Sequence, residues 1–533
     1  ALKNMLKIFK VLMKPIDYFL NRITMYRLIL YYLIVLIAVA GVFGYFNVLK
    51  LQPMALLFST VFILVVCWVT NKFFAYMFSA PTNVESVYIT ALILVLIISP
   101  IQGLGDTAFF TLATWASVWA ISSKFIFAIR KKHIFNPAAF GVTVTALFLG
   151  LSATWWIGTG IMMPFVVVGG LLLVKKIRRF DLVLSFCITA VVMIIGDGIY
   201  HGSDLFQTFK TILFDLPIFF FAFVMLTEPL TTPPTRPFRI AYGILTGILY
   251  APFIYVAGIY STPELALLVG NIFSYIVSPK YKLVLNFKRR DQVARDTYDF
   301  VFETKRSFTF NPGQYLEWTL VPDNKNKKQN EDKNYDGADS RGVRRFFTVA
   351  SSPTEKEILI GVKFYPKPSS FKKTLYDMQS GDKIVASQLS GDFTLPKDET
   401  KKLAFIAGGI GITPFRSMIK YLIDKNDRRD VVLFYSNKEL VDVAYTDIFD
   451  EAYEKLGINT IYTLTDKEKV PANWKGNIGI FTAESIKSGT PDYMERIFYL
   501  SGPQALVAAF EITLSDMGVP RHQIKTDYFP GFA

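Results

Sequence analysis

The chain has 533 residues, 52% of them hydrophobic and 19% charged, with a formal net charge of +14. Soluble chains average about 25% charged residues, so part of this one is expected to lie in a bilayer. Two cysteines and three histidines exclude a disulfide scaffold, an iron–sulfur cluster held by this chain alone and a stack of bis-histidine haems.

The charge excess is uneven. Residues 1–279 hold 19 Lys and Arg against 9 Asp and Glu, whereas residues 280–533 hold 38 against 34. A basic balance in the apolar half points to the positive-inside rule, with no nucleic-acid partner. Residues 1–27 are basic and amphipathic, without a signal-peptide cleavage site, and read as an interfacial segment. Residues 28–279 read as a membrane domain of ten spans: Leu28–Phe46, Met54–Val69, Val87–Ile101, Ala108–Ile121, Ala138–Gly150, Gly160–Val174, Leu182–Gly196, Leu216–Leu226, Ile240–Gly258 and Pro263–Val277. Several fall short of the roughly 20 residues a crossing helix needs. The fifth and eighth read as broken or re-entrant. With a cytosolic N-terminus, inside segments collect 17 Lys and Arg, and outside segments only Lys50 and Lys210. Both termini are then cytosolic.

Residues 280–397 contain short β-branched and aromatic runs: Leu283–Phe287, Tyr298–Glu303, Tyr315–Leu320, Arg345–Ala350 and Ile358–Tyr365. These predict a small antiparallel barrel, interrupted by a polar loop at Asp323–Arg341. Residues 398–533 alternate apolar strands with amphipathic helices, as in a doubly wound parallel sheet.

The strongest local pattern is the apolar strand Leu403–Ala407 running into Gly408-Gly409-Ile410-Gly411-Ile412-Thr413-Pro414. Glycines let a backbone approach a pyrophosphate, and the following helix offers free N–H groups. Around it stand Asn311-Pro312-Gly313-Gln314, Arg345-Phe346-Phe347-Thr348, Ser351, Ser369-Ser370-Phe371, Tyr435-Ser436-Asn437-Lys438, Ser501-Gly502-Pro503 and the terminal Tyr528-Phe529-Pro530-Gly531-Phe532. In this order and spacing residues 281–533 resemble the ferredoxin–NADP reductase superfamily.

The resemblance implies an FAD-binding barrel and an NAD(P)-binding α/β domain. Arg345 would pair with the FAD pyrophosphate, Phe347 would stack on the flavin, and Thr348 would place its hydroxyl near flavin N5. Ser351, Ser369, Ser370 and Phe371 would complete the FAD site, although Pro368 stands where a glycine is common. Gly408, Gly409, Gly411, Thr413, Pro414, Gly502 and Pro503 would cradle the nicotinamide dinucleotide. Ser501 occupies a position where many members have cysteine. Phe529 or Phe532 would cover the second flavin face. Ser436 and Lys438 suit a 2′-phosphate, a lean towards NADPH over NADH.

In the apolar half, Lys124, His133-Ile134-Phe135-Asn136-Pro137 and Met225-Leu226-Thr227-Glu228-Pro229 resemble the related flavin-bearing membrane subunits of the Rnf complex and of the sodium-translocating NADH:quinone reductase. Those subunits hold flavins in the membrane. The resemblance implies FMN or another flavin near Lys124, His133, Asn136 and Thr227, with His133 a phosphate or headgroup contact. Ser203 lies near the threonine that carries covalent FMN in the family. The Gly-Ala-Thr ending is absent, so non-covalent binding is expected. No metal site is expected.

Together these expectations describe a polytopic oxidoreductase of the bacterial cytoplasmic membrane. It takes hydride from cytosolic NAD(P)H onto FAD and passes electrons through a membrane flavin to an extracytosolic acceptor, such as a flavinylated protein. The alternatives are a redox-driven Na⁺ or H⁺ pump, for which Glu228 and Glu85 are the acidic residues at hand, and an anchored quinone or ferredoxin reductase with no relay.

Overall fold

The structure, a computed structural model, describes residues 15–16, 19–20, 23, 25–78, 84–129, 132–256, 259–278, 282–304, 308–320, 344–366 and 368–527. The expected loop at Asp323–Arg341, both terminal aromatics Phe529 and Phe532, the His133 side chain and most of the N-terminal segment lie outside the described residues. The chain divides into two compact units, Ala1–Ser278 and Pro279–Phe529.

The first unit is helical. Its helices are α1 (Met25–Tyr45), α2 (Pro53–Met77), α3 (Val84–Ile97), α4 (Thr107–Ile126), α5 (Pro137–Leu149), α6 (Met163–Ile177), α7 (Phe180–Tyr200), α8 (Leu205–Phe214), α9 (Ile218–Met225), α10 (Arg236–Tyr250) and α11 (Pro263–Val277). Among the described residues only α1, α2 and α7 are long and apolar enough to cross a membrane, or four spans if the pair α8–α9, bent by 52°, counts as one. The expected ten spans are therefore corrected to three or four. The main physical reason is chain punctuation: apolar runs that read as spans are cut into short helices, whereas α4, 20 residues long, is not apolar enough. Helix α5 starts at a Pro capped by the Asn136 side chain and stops at Gly150 in a left-handed conformation. Its 13 residues reach about 20 Å at 1.5 Å per residue, against about 30 Å of hydrocarbon. The fifth run, expected to break, is the continuous helix α5. The 52° bend between α8 and α9 falls at the start of the expected eighth run, and Phe221–Met225 within that run winds as a π-helix. Such turns recur at functional sites. Two short hairpins, β1 (Ala128–Ile129) with β2 (Lys132–His133) and β3 (Tyr255–Val256) with β4 (Ile259–Tyr260), precede α5 and α11 respectively.

The second unit holds two sheets. Strands β5 (Lys282–Ala294), β6 (Thr297–Glu303), β7 (Tyr315–Leu320), β8 (Arg344–Thr348), β9 (Ile358–Lys363) and β10 (Lys383–Ser390) form an antiparallel sheet in the order β8-β7-β10-β5-β6-β9. Beyond β8 its end strands are tied by a 2.8 Å bond from the Ala350 N–H to the Leu359 carbonyl. Trp318, Phe300, Phe302 and Leu316 fill the core, and helix α12 (Ser370–Tyr376) packs beside it.

The other sheet comprises β11 (Leu403–Gly408), β12 (Val431–Asn437), β13 (Asn459–Leu464), β14 (Asn477–Ile478), β15 (Ile497–Ser501) and β16 (Ile524–Asp527), all parallel in the order β14-β13-β12-β11-β15-β16. Helices α13 (Thr413–Lys425) and α14 (Thr446–Leu456) cover one face. Helices α15 (Ala483–Gly489) and α16 (Gln504–Asp516) cover the other. The chain runs outward from β11 to β14 and returns on the opposite side of β11 as β15. That reversal creates a switch point outside the carboxyl ends of β11 and β15, where open α/β sheets bind ligands.

Candidate functional site

The glycine turn occupies that switch point. After β11 the backbone passes through Gly409, at φ of 51°, into a tight turn ending at Ile412. Pro414 then enters the first turn of α13, where its missing N–H costs nothing. Across the crevice lies Gly502. A Cβ on Gly411 would stand 2.4 Å from the Gly502 Cα and 2.6 Å from the Ser501 carbonyl carbon. The turns after β11 and β15 thus meet backbone to backbone, and only glycine fits between them. This side-chain-free cradle beside a helix N-terminus suits a dinucleotide pyrophosphate. Thr413 is buried, its hydroxyl donating to the Ile410 carbonyl at 3.3 Å, and Pro503 lies against Gly408.

Ser501 ends β15 beside Asp527 of β16, and its hydroxyl donates to Asp527 Oδ2 at 3.4 Å, both residues being buried. Asp527 went unassigned in the sequence. The only signal was its place in the terminal Asp-Tyr-Phe-Pro run. At the end of β12, Ser436 pairs with Gly408 and is half-buried, while Lys438 is exposed. The neighbouring Glu439 carboxylate is bound by Arg295 and Lys469, each at 2.8 Å. Those cations hold its carboxyl well below the usual range.

The expected FAD residues gather on β8 and α12. Arg345 is buried opposite Trp318, and its guanidinium lies 5.3 Å from the centre of the Phe371 ring. Phe347 packs on the same ring at 5.8 Å. Thr348 is buried at the end of β8, in register with Tyr315. The Ser369 hydroxyl caps α12 by accepting from the Lys372 N–H at 3.3 Å, and Ser370 is half-buried. A buried guanidinium near a helix start is chemistry suited to a diphosphate. Ser351 sits deeper: its hydroxyl accepts from the Leu359 N–H at 3.1 Å and its carbonyl accepts from the Ser417 hydroxyl at 2.7 Å.

In the helical unit, Asn136 and Thr227 line one cavity together with Ser86, Thr90 and Glu228. It is partly open to the exterior, and most of its wall is apolar. Lys124 reaches its wall, donating to Thr90 Oγ1 at 2.8 Å, Ser86 Oγ at 3.0 Å and the Ser86 carbonyl at 2.9 Å. Asn136 donates from Nδ2 to Glu228 Oε2 at 2.9 Å, and its N–H bonds Asn271 Oδ1 at 2.7 Å. The Thr227 hydroxyl donates to the Phe223 carbonyl at 2.6 Å. Three of the five expected membrane-flavin residues therefore converge. Ser203 does not: it is exposed in the turn between α7 and α8 and is absent from the cavity lining.

Comparison with known proteins agrees on the second unit. Residues 405–511 match the family model described as an oxidoreductase NAD-binding domain. The chain is 31% identical over 157 residues to a flavohemoprotein of Bacillus cereus (strain ATCC 10987 / NRS 248), covering 28% of this chain and 38% of the relative. It is 23% identical over 235 residues to the glycine betaine monooxygenase reductase subunit of Pseudomonas aeruginosa (strain UCBPP-PA14), covering 44% of this chain and 60% of that one. It is 27% identical over 199 residues to one subunit of the Na(+)-translocating NADH-quinone reductase of Marinomonas sp. (strain MWYL1), covering 36% and 47%. The chain thus spans less than two thirds of the length of each relative. The second unit is thus similar, over part of its length, to NAD-binding oxidoreductases.

Proposed function

We propose that this chain is a membrane oxidoreductase that oxidises cytosolic NAD(P)H in its second unit and delivers the electrons across its helical unit to an extracytosolic acceptor. FAD, when bound, supplies the chemistry that accepts one hydride, with its electron pair, and releases electrons singly. Arg345, Ser369 and Ser370 would hold its diphosphate, and Phe347 and Thr348 would face its ring. The Gly408–Pro414 and Ser501–Pro503 turns would receive the dinucleotide. Ser501, bound to Asp527, would stand at the nicotinamide.

The observation that carries the transmembrane part is the largely apolar cavity among α1, α3, α5, α6 and α9, which holds a few convergent polar groups. Asn136 and Thr227 line it, and Lys124 is bound to two of its lining residues. This cavity would take FMN or another flavin without a covalent bond. Three helices long and apolar enough to cross a bilayer, or four if the bent pair counts as one, support a place in a membrane, which on this reading is the bacterial cytoplasmic membrane. NADPH is the preferred donor on this reading, because Lys438 is exposed beside Ser436 while Glu439 is already engaged by two cations.

Anaerobic extraction and counting of flavin from the purified full chain tests this. Two flavins per chain, one of them FAD, are expected. One FAD and no second flavin would remove the relay.

A further inference from the structure

The barrel and the α/β sheet of the second unit meet through a buried polar seam. Asp299 on β6 accepts a hydrogen bond from the Tyr445 hydroxyl at 2.6 Å. Tyr445 stands at the N-terminus of α14 with φ of 63°, a left-handed conformation that costs a bulky residue free energy and persists only where its surroundings enforce it. Gly361 on β9 leaves room for it: a Cβ there would lie 2.6 Å from both the Tyr445 hydroxyl and Thr413 Cγ2. Arg416 on α13 donates to the Ala350 carbonyl at 3.2 Å and to Glu355 Oε1 at 2.9 Å, with its guanidinium 5.9 Å from the Tyr445 ring. Ser417 bonds the Ser351 carbonyl at 2.7 Å.

Both ends of the seam are rooted in cofactor segments. Ala350 and Ser351 follow directly after Thr348-Val349, and Arg416 and Ser417 lie within the first turns of α13 after Thr413-Pro414. Apolar contacts are non-directional and tolerate sliding. A buried hydrogen bond has a set length and angle, and it is costly to leave unmade. Any slip of the barrel against the α/β sheet therefore breaks these bonds and, with them, the register between Phe347–Thr348 and Gly409–Pro414.

We infer that Tyr445, held by Asp299, and Arg416 are positioning residues that set the approach of the nicotinamide to the flavin. The inference rests on the NAD(P)H-to-FAD reading above. In that step the C4–H bond of the reduced nicotinamide breaks and its electron pair travels with the hydride to the flavin, leaving the oxidised dinucleotide. Its rate depends steeply on the distance between the two atoms.

The test is anaerobic stopped-flow reduction of the FAD-loaded full chain in detergent by NADH and by NADPH, following flavin absorbance and the nicotinamide–flavin charge-transfer band. Tyr445→Phe should keep FAD and bind the dinucleotide within about twofold of wild type. Its hydride-transfer rate constant should fall about tenfold, with a weakened charge-transfer band. Asp299→Asn retains an acceptor for the hydroxyl and should stay within about threefold of wild type. Arg416→Lys keeps the charge, loses the fork to Ala350 and Glu355, and should show the same split between rate and affinity, which covers a failure of Tyr445→Phe to fold. Wild-type rate and band in either folded variant overturn the positioning role. A wild-type chain that neither NADH nor NADPH reduces overturns the proposed function itself.

Discussion

Asp299 is the residue whose environment has the clearest consequence in solution. Burial pushes its carboxyl up from 3.8 to about 6, and the Tyr445 hydroxyl and the Arg416 charge only partly offset that. The folded chain therefore holds this proton more tightly than the unfolded chain does. The second unit gains stability from Asp299 at acid pH and loses it as pH rises from about 4 to about 6, by about 3 kcal/mol in all. Asp299→Asn should flatten that slope, which thermal unfolding of the second unit at pH 5 and pH 8 would read. An unchanged pH dependence in the variant contradicts the burial argument. Lys438 makes a second prediction. It is the exposed cation beside Ser436, so Lys438→Glu should shift the ratio of kcat/KM for NADPH over NADH by at least about tenfold towards NADH. A ratio that stays put would mean the 2′-phosphate is met elsewhere.

Among the elements, the paired glycine turns are the least forgiving. Gly411→Ala places a methyl group 2.4 Å from the Gly502 backbone, where no flexible side chain can yield. Overpacking of this kind costs about 1–3 kcal/mol. The KM for NAD(P)H should rise while FAD content is unchanged, and a wild-type KM would show that the two turns do not form the dinucleotide cradle. This element was legible in the sequence because strand, glycine run and Pro-led helix are contiguous and obey local rules. The cluster of Arg345, Phe347 and Phe371 was legible through its motifs for the same reason. The Asp299–Tyr445 bond joins residues 146 positions apart, and no local pattern marks a Tyr that caps a helix in a left-handed conformation. The helical unit misled for a different reason. Hydropathy reports how apolar a run is but not where Pro137, Gly150 or Pro263 starts or stops a helix, so short buried helices read as full spans. Shortness of the run suggested a break in both the fifth and the eighth runs, but only the eighth has a bend at its edge. The π-helical turn inside it carried no signal.

Taken whole, the chain carries a unit that matches an oxidoreductase NAD-binding domain over residues 405–511 and a helical unit with a largely apolar cavity, and the relay stands or falls on what that cavity holds. Asn136 caps α5, bonds Glu228 and lines the cavity at once. Asn136→Ala should therefore cost about 1 kcal/mol from the cap and release the membrane flavin while leaving FAD in place, as flavin extraction would show. The decisive measurement uses the full chain in sealed vesicles with its second unit facing outward, NAD(P)H outside and a membrane-impermeant electron acceptor inside. The acceptor should be reduced by the wild-type chain and not by Asn136→Ala, with NAD(P)H-dependent reduction of FAD equal in both. Reduction of FAD with no electrons reaching the enclosed acceptor would contradict the transmembrane relay.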